Sequence, residues 1–287
     1  GAAVTGVGDI DGGGSPDGLV GAPFETSGGN LGAGKAYIFS SEDGDVIDVL
    51  TGGDETVGRF GIALANVGDL VGDSTSDFIV AAPRETATAG GSPVSEAGRV
   101  YLIDGSTFAQ TVITSSNVEP GGQFGRSVGA IGSGSDLDLI IGAFNEDPGG
   151  QNGAGRAYIF DGANPTGTPR TLIPGQPEEN GEFGRSVAGI RDVDGDGISD
   201  VLVGAPGETV NGTDDSGRAY IFSRATGNRL ATLETPNPES GRFGTAVTRS
   251  ERPFVGAPRE NGNGTAKAGR VYTFTPGINL ADGRNGK

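Results

Sequence analysis

Residues 192–200 read DVDGDGISD, which puts carboxylates at the first, third, fifth and ninth places: Asp192, Asp194, Asp196 and Asp200. Like charges at that spacing repel and raise one another's pKa, so the crowding makes sense with a cation among them. Calcium takes six to eight oxygen ligands in flexible geometry. The chain contains no His and no Cys, so the nitrogen and sulfur ligands that suit zinc are absent. Ile198, at the seventh place, can add its backbone carbonyl, and the two glycines let the loop curl so that alternate oxygens converge. An EF-hand would need a glutamate at the twelfth place, where Val203 stands inside an apolar run, so the segment is read as a loop closing a β-hairpin. The competing reading is an ordinary Asp- and Gly-rich turn whose side chains bond their own backbone.

Two other segments keep part of this set. DIDGGGSPD retains Asp9, Asp11 and Asp17, with Gly13 at the fifth place, where a water could substitute, and Ser15 at the seventh. DLVGDSTSD retains Asp69, Asp73 and Asp77, with Val71 at the third place and Thr75 at the seventh. The corresponding stretches GSGSDLD and RSERP are not expected to bind calcium. A site lost in some copies serves local stability better than catalysis, with affinity on the order of 10⁻⁴–10⁻³ M.

The 287 residues carry 37 acidic against 20 basic side chains, a net charge of -17, which repels polyphosphate backbones and argues against a nucleic-acid partner. A lysine-poor acidic surface also suits a salt-rich or calcium-rich medium. Without Cys or His, thiol nucleophiles, imidazole bases and disulfides are excluded, and most hydrolase mechanisms lose a usual participant; an acidic catalytic pair stays open, because glycosidases need only two carboxylates. No apolar run approaches the ~18 residues of a membrane helix and no basic-then-apolar leader opens the chain, so no membrane insertion is expected within it.

The elements that position these loops repeat. Gly1, Gly61, Gly125, Gly184 and Gly244 open five copies of one unit about sixty residues long, four of them preceded by Phe. Each copy reaches a Gly-Ala-Pro-like segment, a glutamate (Glu25, Glu85, Glu146, Glu208, Glu260), and then a glycine, a basic residue and a tyrosine strand such as GRAYIF. The five tyrosines, Tyr37, Tyr101, Tyr158, Tyr220 and Tyr272, all fall there, which implies one equivalent packing site per unit. The basic residues Lys35, Arg99, Arg156, Arg218 and Arg270 stand where a hairpin would set them opposite the glutamates, as cross-strand ion pairs worth about 0.2–1 kcal/mol if exposed.

Four short strands per unit, with the second and third apolar on both faces, predict an all-β fold in which sheets cover one another. The expected architecture is a β-propeller of five four-stranded blades, residues 1–287 forming one domain with repeats near 1–60, 61–124, 125–183, 184–243 and 244–287. A linear β-stack is the structural rival.

The recurring Phe-Gly and Gly-Ala-Pro with an Asp-rich loop between them closely resemble the FG-GAP repeat of integrin α-subunit propellers and their prokaryotic relatives. That resemblance implies a calcium-binding, extracellular, adhesive propeller. It differs in blade number, seven in the integrin form against five copies here.

The expected function is thus noncatalytic: recognition of a protein or glycan ligand at a cell surface, with Ca2+ as cofactor. Two other classes remain open: a structural subunit that self-associates into a sheath or filament, and a carboxylate-pair enzyme degrading polysaccharide. Loops at 24–34, 84–98, 145–154, 207–216 and 259–268 are the expected recognition elements, on the face opposite the calcium loops. Two of them carry glycosylation sequons, at Asn211 and Asn263.

Overall fold

The computed structural model describes residues 1–236, 238–248, 253–262 and 265–274. The loop 249–252 of the fifth repeat, Asn263 and the final residues from 275 lie outside the described residues.

Within them the protein is all-β and antiparallel. The first sheet runs in the order β1 (Ala3–Gly6), β2 (Gly18–Ala22), β3 (Lys35–Phe39), β4 (Val46–Leu50). The second repeat supplies β5 (Ala63–Gly68), β6 (Asp77–Ala82), β7 (Ala87–Ala89), β8 (Ser92–Val94), β9 (Arg99–Ile103) and β10 (Gln110–Ile113). Its four-stranded sheet has the order β10-β9-β6-β5, while β7 and β8 form a separate hairpin inside the 84–98 loop. That hairpin was not anticipated; its strands have three residues each, and Pro93 lies in one of them.

The third sheet contains β11 (Ser127–Ile131), β12 (Asp138–Ala143), β13 (Arg156–Asp161) and β14 (Arg170–Leu172). The fourth contains β15 (Ser186–Ile190), β16 (Asp200–Ala205), β17 (Arg218–Phe222) and β18 (Arg229–Glu234). The fifth has β19 (Ala246–Thr248), β20 (Phe254–Ala257) and β21 (Arg270–Thr273), three strands among the described residues. The chain forms two compact units, Gly1–Leu139 with Phe160–Pro169, and Ile140–Ile159 with the residues from Arg170 onward.

The central strands of the middle repeats behave as their apolar runs predict. Every residue of β6 and of β16 is buried. In the first sheet β2 and β3 bury only alternate residues, and Val4 and, in the fifth sheet, Val271 are 76% and 71% exposed.

Successive repeats are joined by a recurring backbone contact. The Phe60 N–H donates to the Ala33 carbonyl at 2.8 Å, Phe124 to Ala97, Phe183 to Ala154 and Phe243 to Ser216 at 2.9 Å each. The next residue in each acceptor segment is a glycine with positive φ: Gly34 (92°), Gly98 (93°), Gly155 (88°) and Gly217 (83°). A Cβ there would lie 2.0–2.2 Å from the same phenylalanine's carbonyl oxygen, so glycine is required twice over, by conformation and by space. The phenylalanine rings are fully buried, and three of them meet the tyrosine of the following strand: Phe60 with Tyr101 at 5.2 Å, Phe183 with Tyr220 at 5.7 Å, and Phe243 with Tyr272 at 5.6 Å.

Gly217→Ala is expected to destabilise the protein by about 2–4 kcal/mol, combining left-handed strain with a backbone clash. Gly212→Ala, also at positive φ (78°) but with nothing within 4 Å, should cost only about 1 kcal/mol. Urea unfolding followed by far-UV circular dichroism separates the two.

Candidate metal centre

β15 and β16 pair with Ile190 opposite Asp200, leaving residues 191–199 as the hairpin loop. Asp200 is fully buried at its base, and its Oδ2 accepts the Val193 N–H at 2.7 Å. The same tie recurs. Asp17 accepts from Ile10 (2.8 Å) and, across β3, from Ser41 (2.9 Å); Asp77 accepts from Leu70 (2.7 Å) and Gly105 (3.0 Å). Asp138 accepts from Gly162 at 3.1 Å in the third repeat, where the loop is short and contains a 3₁₀ turn at Gly134–Asp136. The ninth-place aspartate therefore anchors the hairpin whether or not the rest of the ligand set is present. Sequence reasoning treated it only as a ligand.

One oxygen from each of Asp192, Asp194 and Asp200 can lie within 4.8 Å of the others, and the same holds for Asp9, Asp11 and Asp17. The donor set is entirely carboxylate oxygen, which fits a hard cation such as calcium. Asp196 stands outside this group, and its Oδ1 accepts the Ile198 N–H at 2.8 Å. Ser15 is exposed in the first loop. In the second repeat Asp69 is taken up by the N–H groups of Gly72 (2.7 Å), Asp73 (2.9 Å) and Ser74 (3.0 Å), while Asp73 accepts from Thr75 (2.9 Å) and the Ser106 hydroxyl. Asp69, Asp73 and Asp77 are not brought together as the other two sets are.

The electrostatics of the fourth-repeat loop are divided. Backbone N–H groups of Gly197 (2.8 Å) and Gly195 (2.6 Å) hold the Asp192 carboxyl below its ordinary range. Burial pushes Asp200 up to about 6, with Asp194 and Asp192 adding to the effect. A divalent cation among the three would offset that penalty.

At the other end of β16, Ala205 faces Arg218, so the Glu208 cluster and the carboxylate loop lie at opposite ends of the same strand. Glu208 is fully buried, accepts from the Tyr220 hydroxyl at 2.5 Å and pairs with Arg218 at 3.1 Å. Burial pushes its carboxyl up to about 7, and both burial and the glutamate push Tyr220 up. Tyr101 and Tyr158 bond Glu85 and Glu146 in the same way, with Arg99 and Arg156 at 3.7 and 3.2 Å.

The expected exposed ion pair is found in that form only in the first repeat, where the Glu25 and Lys35 side chains are 38% and 26% exposed. Elsewhere the glutamate is buried under the segment that leads into its own repeat's Phe-Gly: Glu85 lies against Gly52, Gly53 and Gly58, and Glu208 against Gly181. In the fifth repeat Glu260 is held by Thr235 (2.5 Å) and Tyr272 (2.7 Å), while Arg270 donates to the Asn261 carbonyl. The tyrosine hydroxyl was the missed participant, although in four repeats it falls twelve residues after the glutamate.

The described residues thus form an all-β repeat protein in which Phe-Gly and Gly-Ala-Pro recur and each repeat carries a Glu-Tyr pair. Two family models described as FG-GAP repeat match the chain, at residues 183–222 and 108–160. Residues 108–160 and 183–222 are thus similar to FG-GAP repeats. It is 33% identical over 175 residues to integrin alpha-5 of Xenopus laevis, covering 58% of this chain and 15% of that one. It is 31% identical over 160 residues to integrin alpha-PS2 of Drosophila melanogaster (48% and 11%), and 29% over 204 residues to human integrin alpha-IIb (66% and 18%). The chain thus spans less than a fifth of the length of these curated relatives.

Because Glu208 is protonated more readily folded than unfolded, its contribution is fully present below pH 4.5 and is lost as pH rises through about 7. The stability of the wild type relative to Glu208→Gln should therefore be greater at pH 4.5 than at pH 7.5, measured by urea unfolding in chelator.

Proposed function

We propose that the chain is a noncatalytic, calcium-stabilised recognition module that acts outside the cell or at its surface, its five sheets being the blades of one propeller. The observation that carries the reading is the convergence of Asp192, Asp194 and Asp200 at a hairpin tip within a stretch matched as an FG-GAP repeat. The integrin α names of its relatives support an adhesive role, and among the described residues no helix is long and apolar enough to cross a membrane.

In this reading Asp192, Asp194 and Asp200 hold the ion in the fourth repeat, with Asp196 and the Ile198 carbonyl completing the shell. Asp9, Asp11 and Asp17 form a second site, with Ser15 at the seventh place. Asp69, Asp73, Thr75 and Asp77 make the poorest site, since Val71 stands at the third place and the three carboxylates are not brought together as the other two sets are. Calcium supplies charge neutralisation and rigidity at the hairpin tips. The protein's own contribution is to present, at the other end of each sheet, loops that meet a protein or glycan ligand. The loop at 84–98, with its β7–β8 hairpin, projects the most structure, and Asn211 is exposed at a turn tip as a glycan acceptor. Buried Glu208, although raised in pKa, is held by a tyrosine and an arginine in an arrangement the other repeats echo, which favours a structural role over general-acid chemistry.

Asp194 accepts only a 3.2 Å backbone bond, so its removal costs little without the ion. Asp194→Ala should lower the thermal midpoint in millimolar calcium and leave it nearly unchanged in chelator. Differential scanning calorimetry in both conditions checks this, and equal losses would mean that the loop is only a turn. Calcium titration calorimetry should find binding on the order of 10⁻⁴–10⁻³ M that weakens in Asp194→Ala.

A further inference from the structure

A cleft of about 340 Å³ lies where the fourth and fifth repeats meet, at the Gly-Ala-Pro end of their sheets, lined by Glu182, Arg185, Arg242, Thr245, Pro258 and Arg259. Arg242 is positioned by Glu182 (2.6 Å) and Asp215 (2.9 Å), and Thr245 donates to its carbonyl at 2.7 Å. Arg185 reaches Glu182 only at 3.8 Å, and its guanidinium lies over the Phe144 ring at 4.8 Å. Stacking of this kind fixes the plane of the group while leaving its edge N–H donors available. Arg259 is exposed, and its backbone is fixed by a 3.0 Å bond to Gly241; its side chain pairs with no carboxylate among the described residues.

Three guanidiniums against Glu182 and Asp215 leave a local balance of one positive charge in a chain whose net charge is -17. The repeat does not impose this trio. Equivalent positions around the junction of the second and third repeats hold Arg59, Ile62, Gln123, Arg126 and Asn145.

We propose that this cleft binds the carboxylate of a single acidic side chain presented by a protein partner, with Arg259 and Arg185 as the ligand-contacting residues and Arg242 as the positioning residue. Planar guanidinium forks match a carboxylate bidentately. The charge balance selects the kind of partner: a polyanionic polysaccharide would be repelled by the rest of the surface, whereas one carboxylate on a neutral or basic protein would not. This deepens the recognition role proposed above, but the cleft lies at the end of the sheet opposite the calcium loop, so the two are tested separately.

The probes are acetyl-Gly-Asp-Gly-amide, its Asn counterpart and trigalacturonate, added at low ionic strength to the calcium-loaded chain and read by side-chain Nε–Hε NMR signals of arginine. The Asp peptide should shift the Arg259 and Arg185 signals saturably, and the Asn peptide should not. Arg259→Gln and Arg185→Gln should each weaken binding about tenfold, as expected for loss of a charge-assisted bidentate contact, with calcium titration unchanged. No saturable shift, an equal response to the Asn peptide, unchanged affinity in both variants, or tighter binding of trigalacturonate would overturn the proposal. A failed calcium titration alongside a normal peptide response would instead overturn the metal reading.

Discussion

The carbonyl of each repeat's phenylalanine lies against a glycine of the preceding repeat more closely than any Cβ would permit. That approach brings the Phe N–H onto the preceding carbonyl, carries the ring into the core and sets the tyrosine against it. Burial of the Phe-Gly also seals the neighbouring glutamate from water, so a charged residue can sit at zero exposure in the middle repeats. The buried polar cluster thus depends on the backbone fit. An unpaired buried carboxylate would be severely destabilising, which is why each also receives a tyrosine hydroxyl and, in the first four repeats, a basic partner.

Much of this was legible in the residues. The repeat unit, the four-strand order and the positions of the central strands follow from Phe-Gly, Gly-Ala-Pro and the tyrosine run, because each motif marks a backbone event that local chemistry dictates. Burial of the glutamates was not legible. Hairpin register pairs Glu with Lys or Arg on paper, but exposure depends on what the end of the preceding repeat lays over them. The β7–β8 hairpin was hidden for a different reason: strands of three residues, one with a proline, have no periodicity to detect.

The aspartate loops show where a pattern in sequence divides in space. Spacing alone gives Asp192, Asp194, Asp196 and Asp200 equal standing, yet three converge and Asp196 stands outside their group. In the second repeat, Val71 at the third place leaves Asp69 and Asp73 to be absorbed by the turn's N–H groups.

The tie at the base of the first four hairpins has a wider consequence. Asp138 holds its strand end although its shortened tip keeps only Asp136 of the other acids. Base and tip are therefore separable modules, the first belonging to the sheet and the second to the solvent. Substitutions at a tip can erase or restore an ion's foothold without disturbing the strands beneath. Dependence on dissolved calcium is in this way adjustable in steps, one hairpin at a time, rather than written into the architecture as a whole.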